Sequence, residues 1–264
     1  MTVLHVQGCS LIKSGIAYYE PTDSFVTHKN DSRVLYEKGG EKLSNIVALQ
    51  MQSSVSKVES IHNEIFSKQI RVYVCATYES FEKHTAKKNP RGVMIGDRIF
   101  LSPKLLEKPD TIKNILTHEL SHLHFAQRIG KTNYFYNIPA WFQEGLATYV
   151  SEGGGSENVS EHDAIKALKT QHFFTPEGNG SLFFIKNASS YGFYEYYKDP
   201  AIAQHMFYQQ SEMFIAYLRK KNVAKFNGLI ASLLAGEKFE TAFKNNYNKS
   251  VSKVWGMFVN DLQT

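Results

Sequence analysis

"THELSHLHF", residues 117–125, sets two histidines four positions apart with a glutamate directly after the first. On an α-helix each residue turns by about 100°, so His118 and His122 project from one face a turn apart, and both imidazoles can reach one cation. Glu119 lies to the side of that pair. A carboxylate offset in this way can touch a water at the cation without ligating the cation itself, as the chemistry of a His-Glu-x-x-His helix requires. The surrounding residues read as a helix: Ile112, Ile115, Leu116, Leu120 and Leu123 recur at spacings of three and four, and Asp110 or Thr111 can cap the start after Pro109. Two histidines on an ordinary helix surface would satisfy the same five residues, so a third ligand has to discriminate.

A catalytic zinc takes three protein ligands and keeps one position open. "IPAWFQEGLATYV", residues 138–150, offers the third. Pro139 suits a helix's first turn, and Trp141, Phe142, Leu146, Tyr149 and Val150 make an apolar surface with Glu144 in its midst. A carboxylate in such a setting is costly unless paired, and coordination of a cation resolves the cost. Gly145 beside it lets another helix approach closely. A solvated helix face is the plainer alternative for Glu144.

"HELSH" and "WFQEGLATY" together resemble the gluzincin metallopeptidases, which include thermolysin, the zinc aminopeptidases and the peptidase MA-like proteins. The resemblance implies an α+β, thermolysin-like zincin catalytic domain, with a small N-terminal sheet, its helices and a mainly helical C-terminal lobe. It implies one Zn2+ per chain held by His118, His122 and Glu144, with Glu119 as general base in peptide-bond hydrolysis. The gap of 21 residues between His122 and Glu144 exceeds that of thermolysin and the aminopeptidases, and an extra loop near "GKTNYFYN", residues 130–137, is expected to absorb the difference.

A second likeness lies in "FYQQSEMFIAYLRK", residues 207–220. Tyr208, Gln210 and Ser211 fit the Y-x-Q-S reading of the peptidase MA-like proteins. The resemblance gives Tyr208 the hydrogen bond to the tetrahedral intermediate; core packing of this aromatic, with His205 as the donor instead, is the alternative. In the resembled enzymes the strand before the motif helix binds substrate as an added strand. Arg98–Leu101 or Val93–Ile95 would be that edge. "GVMIG", residues 92–96, has Ile95 where the aminopeptidases carry a glutamate for the substrate's free amine, which favours an endopeptidase over an aminopeptidase.

Composition narrows the classes. A chain of 264 residues with 42% apolar content can bury a substantial core. Its net charge of +5 comes from scattered Lys and Arg without helix-turn-helix or Cys/His finger spacing, so nucleic acid is not an expected partner; a peptide or protein substrate is. No stretch approaches the roughly eighteen apolar residues of a membrane helix, and "MTVLHVQGCSLIKSG" lacks the form of a signal peptide. The chain is expected to be soluble as given, with membrane attachment only through a segment not present in it. Cys75, in the strand-like "IRVYVCA", reads as an inert buried thiol, and neither it nor Cys9 has a CxxC partner. Two rival classes compete with the enzyme. One is a non-catalytic zinc-containing binding protein on the same scaffold, which the intact Glu119 and ligand set disfavour. The other is a regulatory metalloprotein with a DNA-binding module, which no sequence feature supplies.

Residues 1–40 read as an N-terminal extension, 41–152 as an α/β lobe with the metal-binding helices, and 153–264 as a helical lobe. Residues 41–67 have helical spacing, "QIRVYVCA" reads as a strand, "TYESFEKHTA" as a short Thr-capped helix, and "RGVMIGDRIFLSP" as a hairpin about Gly96-Asp97. Helices are expected over 160–169, 201–220, 223–234, 238–247 and 250–262. "SEGGGSEN", residues 151–158, reads as a flexible connection between lobes or a plain surface loop. Phe183, Phe184, Tyr191, Phe193, Tyr194, Tyr196 and Tyr197 suit packing between helices or a cleft wall. The remaining histidines receive no role, and His124 should point away from the ligand pair.

Overall fold

The computed structural model describes residues 17, 19–176 and 196–262. Strands β1 (Phe25–Thr27), β2 (Val34–Glu37), β3 (Val72–Val74), β4 (Gly92–Ile95) and β5 (Arg98–Leu101) form one sheet in the order β1-β2-β3-β5-β4. The central pairs β2–β3 and β3–β5 are parallel, and the outer pairs β1–β2 and β4–β5 are antiparallel. Two of these strands lie within residues 1–40, so the expected extension supplies part of the sheet.

Parallel neighbours need a crossover, and α1 (Glu41–His62) makes the one between β2 and β3. Its buried residues Leu43, Val47, Met51, Val55 and Val58 recur at three and four, the face that lies on the sheet. The helix stops at His62 rather than running to residue 67, because Asn63 turns to φ 55° in the left-handed region. β3 is buried on both sides: Val72 and Val74 join the main core, while Tyr73 packs with Phe25, Cys75, Phe81 and Phe100 on the opposite face. After β3, the Thr77 hydroxyl accepts the Ser80 amide and starts α2 (Tyr78–Thr85). The hairpin turns at Gly96, where φ is +71° and Ile95 faces Arg98.

Short 3-10 turns at Pro103–Glu107 and Pro109–Thr111 lead into α3 (Ile112–Ile129), which starts without a side-chain cap from Thr111. Helices α4 (Lys131–Asn137), α5 (Ala140–Val150), α6 (Glu161–Lys169), α7 (Pro200–Lys221), α8 (Val223–Leu234), α9 (Phe239–Tyr247) and α10 (Val251–Asp261) follow. Capping explains several of the starts. Ser160 and Asp163 close a capping box on α6, and Asp199 accepts the Ala201 and Ile202 amides ahead of Pro200 on α7. The fold is α+β. One continuous apolar cluster runs from Val34 to Val259 and joins the sheet's inner face to the helices.

Helices α5 and α7 approach closely at Gly145, where a Cβ would lie 2.7 Å from the carbonyl carbon and oxygen of Ser211. Only glycine fits there, as the sequence suggested. Phe183, Phe184, Tyr191, Phe193 and Tyr194 lie outside the described residues. Tyr196 stacks on His172, and the Tyr197 hydroxyl donates to the His172 carbonyl. Among the described residues no helix is long and apolar enough to cross a membrane.

Candidate metal centre

Helix α3 is buried from Ile115 to Gln127, polar residues included. Burial of so many polar groups demands a partner for each. His118 and His122 find each other: their Nε2 atoms stand 3.0 Å apart. Helix α5 crosses α3 and brings Glu144 Oε2 to 3.3 Å from His118 Nε2 and 3.5 Å from His122 Nε2. All three residues are buried, with Glu144 3% exposed. Among the described residues this is the grouping of His, Cys, Asp and Glu whose ligand atoms converge closely enough to hold an ion.

The spacing fits a zinc ion. Ligand atoms bonded to tetrahedral zinc at about 2.0–2.1 Å stand about 3.3 Å from one another. Glu144 Oε2 is, besides, fully buried and without a hydrogen-bond partner, an arrangement that costs free energy unless a cation occupies the convergence point. Burial opposes ionisation of Glu144, but the facing imidazoles of His122 and His118 outweigh it and hold the carboxyl well below the usual carboxylate range.

Each imidazole is also held from behind. His118 Nδ1 donates to the Gly154 carbonyl at 2.8 Å. A carbonyl only accepts, so Nδ1 carries a proton and Nε2 is the nitrogen that faces Glu144 and His122. His122 Nδ1 lies 2.6 Å from the Tyr134 hydroxyl. Burial, followed by the charges of Glu144 and Glu119, pushes the Tyr134 phenol well above its ordinary range.

Glu119 points to the sheet side of the histidine pair. Its Oε2 accepts the Met94 amide of β4 at 2.8 Å. Burial is the largest influence on its carboxyl and raises it; the Glu144 charge acts the same way, while His118, His122 and the Met94 amide pull it down. A carboxylate held above its ordinary range is a stronger proton acceptor.

Tyr208, on α7, stacks on His118 with ring centroids 5.9 Å apart and planes 21° from parallel. Its hydroxyl accepts from Gln204 Nε2 at 3.0 Å, and burial, then the nearby Glu144 carboxylate, raises its pKa well above the ordinary value. His205 is turned elsewhere: its Nδ1 accepts the Asn158 amide at 3.2 Å and lies 3.8 Å from Glu157. Gln210 is occupied with the backbone of Phe174 and His172, and Ser211 forms the floor under Gly145, so these two motif residues pack rather than face the cluster.

The glycine-rich stretch 151–156 is not slack. Gly153 donates to the Thr148 carbonyl, Gly154 to the Ser151 hydroxyl, and the Ser156 hydroxyl to Gln209 Oε1 at 2.9 Å. At Gly155, with φ +90°, a Cβ would meet Tyr208 Cδ2 at 2.9 Å and His118 Cε1 at 3.1 Å. The segment is bare of side chains because it is wedged between a candidate ligand and a candidate donor, which replaces the expected flexible connection with a packed wall of the site. The expected loop at 130–137 is likewise corrected: it is helix α4, and it carries Tyr134 to His122.

Of the two candidate substrate edges, β4 is the outer strand and β5 is paired on both sides. His124 faces away from the ligand pair as expected, but it is buried against His62, with their Nδ1 atoms 3.0 Å apart. Ser121 joins the pair through His62 Nε2 at 3.1 Å, and His124 Nε2 donates to the Glu64 carbonyl. This network ties α1 to the back of α3. Burial lowers the pKa of both rings. Sequence reasoning passed over Tyr134, Gly154 and the Met94 amide; the surplus length between His122 and Glu144 was the one available signal for Tyr134. A scan of protein-family models finds no match to the chain, and a search of curated proteins finds none either.

Proposed function

We propose that the chain is a zinc-dependent peptidase of the gluzincin kind, cleaving internal bonds of peptide or protein substrates. The observation that carries this reading is the convergence of His118 Nε2, His122 Nε2 and Glu144 Oε2, with Glu119 adjacent and not among the converging atoms. An edge strand followed by the helix of the two histidines and the helix of the glutamate also supports a thermolysin-like arrangement of the α+β fold.

His118, His122 and Glu144 would hold one zinc per chain. When bound, zinc supplies Lewis acidity, polarising the scissile carbonyl and acidifying the attacking water. Glu119 takes a proton from that water as its oxygen bonds to the carbonyl carbon, and later delivers the proton to the leaving amine as the C–N bond breaks. The Tyr208 hydroxyl donates to the oxyanion that develops on the former carbonyl oxygen. β4 receives the substrate backbone as an additional strand, for which Glu119 releases the Met94 amide. Ile95 on that strand offers no carboxylate to a free amine, which supports internal cleavage.

The test is a peptide-library digest by zinc-loaded wild type and Glu119→Gln. The amide keeps the shape of Glu119 and cannot accept the proton, so cleavage should vanish with zinc retained. Hydrolysis by the variant at near wild-type rate removes Glu119 from the mechanism, and absence of cleavage by zinc-loaded wild type turns the reading toward a non-catalytic zinc protein.

A further inference from the structure

The segment between the histidine helix and the glutamate helix is where this chain is longer than the enzymes it resembles. It forms α4, whose inward residue Tyr134 is 2% exposed and sets its hydroxyl 2.6 Å from His122 Nδ1. The ring is fixed from several sides. It lies against Phe125 at 6.1 Å and Phe135 at 5.3 Å, and the Gln143 amide donates to the Tyr134 and Ile138 carbonyls at 3.0 and 2.6 Å. Gln143 directly precedes Glu144, so the turn of α5 that supplies the carboxylate also anchors the backbone of α4.

Resting on the zinc-site reading above, we propose that Tyr134 is a positioning residue for the metal, holding His122 in the tautomer and orientation that present Nε2 to it. For Nε2 to give its lone pair to a cation, the proton of the neutral ring must sit on Nδ1, and a buried N–H needs an acceptor. The Tyr134 oxygen is that acceptor. The Gly154 carbonyl does the same for His118, with a difference that matters. A carbonyl fixes one tautomer, whereas a hydroxyl can accept or donate.

The Tyr134 hydroxyl therefore serves His122 Nδ1 in either tautomer and spares a buried nitrogen from being unpaired.

The experiment is competition for Zn2+ between the purified full chain and a chromogenic chelator, with wild type and Tyr134→Phe compared. The expected result is one zinc at saturation in both and an affinity about 10- to 100-fold weaker in the variant, the range typical of a lost partner behind a metal-bound histidine. Phenylalanine keeps the packing but leaves a buried His122 nitrogen without its partner, so the metal-free midpoint should fall modestly. Zinc affinity within about twofold of wild type, well below that range, overturns the proposal. Because that fall does not separate positioning from packing, the same substitution in a His122→Ala background decides: no further loss of affinity supports action through His122, and an undiminished loss assigns Tyr134 to packing and overturns the proposal. Wild type that takes up no zinc would instead overturn the peptidase reading itself.

Discussion

Glu119 Oε2 accepts the Met94 amide at 2.8 Å, which ties the candidate base to the edge strand of the sheet. Beyond Met94 that strand offers Ile95, an apolar side chain packed against the cluster of Phe25, Tyr73, Phe81 and Phe100, and no carboxylate to hold an ammonium group. Peptides with acetylated N-termini should therefore be cleaved about as fast as their free counterparts. Parallel digests of the two forms check this, and strict dependence on the free amine would sink the endopeptidase reading.

Zinc content follows from the converging atoms. Wild type should carry one zinc per chain, and His118→Ala and Glu144→Ala should not. Elemental analysis of dialysed protein at neutral pH measures it. Full stoichiometric zinc in either variant would show that another set of ligands holds the ion.

Tyr208→Phe should leave zinc bound and lower kcat by about 10²- to 10³-fold, or roughly 3–4 kcal/mol, with little change in KM, because its hydrogen bond forms to the oxyanion of the transition state. His205→Ala serves as the comparison, since that ring is engaged with Asn158 and Glu157. A Tyr208→Phe rate within about threefold of wild type, too little for such a donor, beside a crippled His205→Ala would transfer the role.

Gly145→Ala should cost about 1–3 kcal/mol of stability, because its Cβ would press on the Ser211 backbone, which cannot turn aside as a side chain could. The same push moves Glu144 off the histidines, so zinc affinity should fall too. Thermal melting with and without zinc reads both effects. An unchanged melting point and affinity would mean that α5 and α7 separate without strain.

His84 supplies a pH dependence away from the site. It lies between Phe25 and Phe100 with a buried Nδ1 lacking a partner, and burial lowers its pKa. The unfolded chain then binds a proton at a pH where the folded chain does not. Above the ordinary histidine value of about 6.5 the ring is neutral in both states and has no effect; as pH falls below it, stability is lost. His84→Phe should flatten the fall in denaturation midpoint between about pH 7 and pH 5.5 relative to wild type. Identical slopes would show that other groups carry the dependence.

The hydrophobic periodicity of α3, the carboxylate among aromatics on α5 and the Gly-Asp hairpin were all legible, because each is a local pattern that the fold leaves in place. The helices after residue 160 start and end within a residue or so of their periodic stretches, helped by caps such as Ser160 and Asp199. β1 and β2 were not legible: strands of three and four residues contain too few alternations to stand out, and β2 joins the sheet through β3, far along the chain. The glycines at 153–155 were read through composition as freedom, whereas their neighbours Tyr208 and His118 make them a tight fit. Tyr134 is one of 15 tyrosines, and only its contact with His122 sets it apart.

The candidate ligands come from two helices, with α4 and its turns spanning the residues between. An ion at their meeting point would be a removable crosslink, closing the stretch from His118 to Glu144 as a covalent staple would. An ion bound only by the folded chain shifts the folding equilibrium by an amount set by its concentration relative to its dissociation constant, about 4 kcal/mol at a thousandfold excess. The persistence of this chain would then be governed partly by metal supply: starvation for the ion would remove that contribution and shorten the lifetime of the protein.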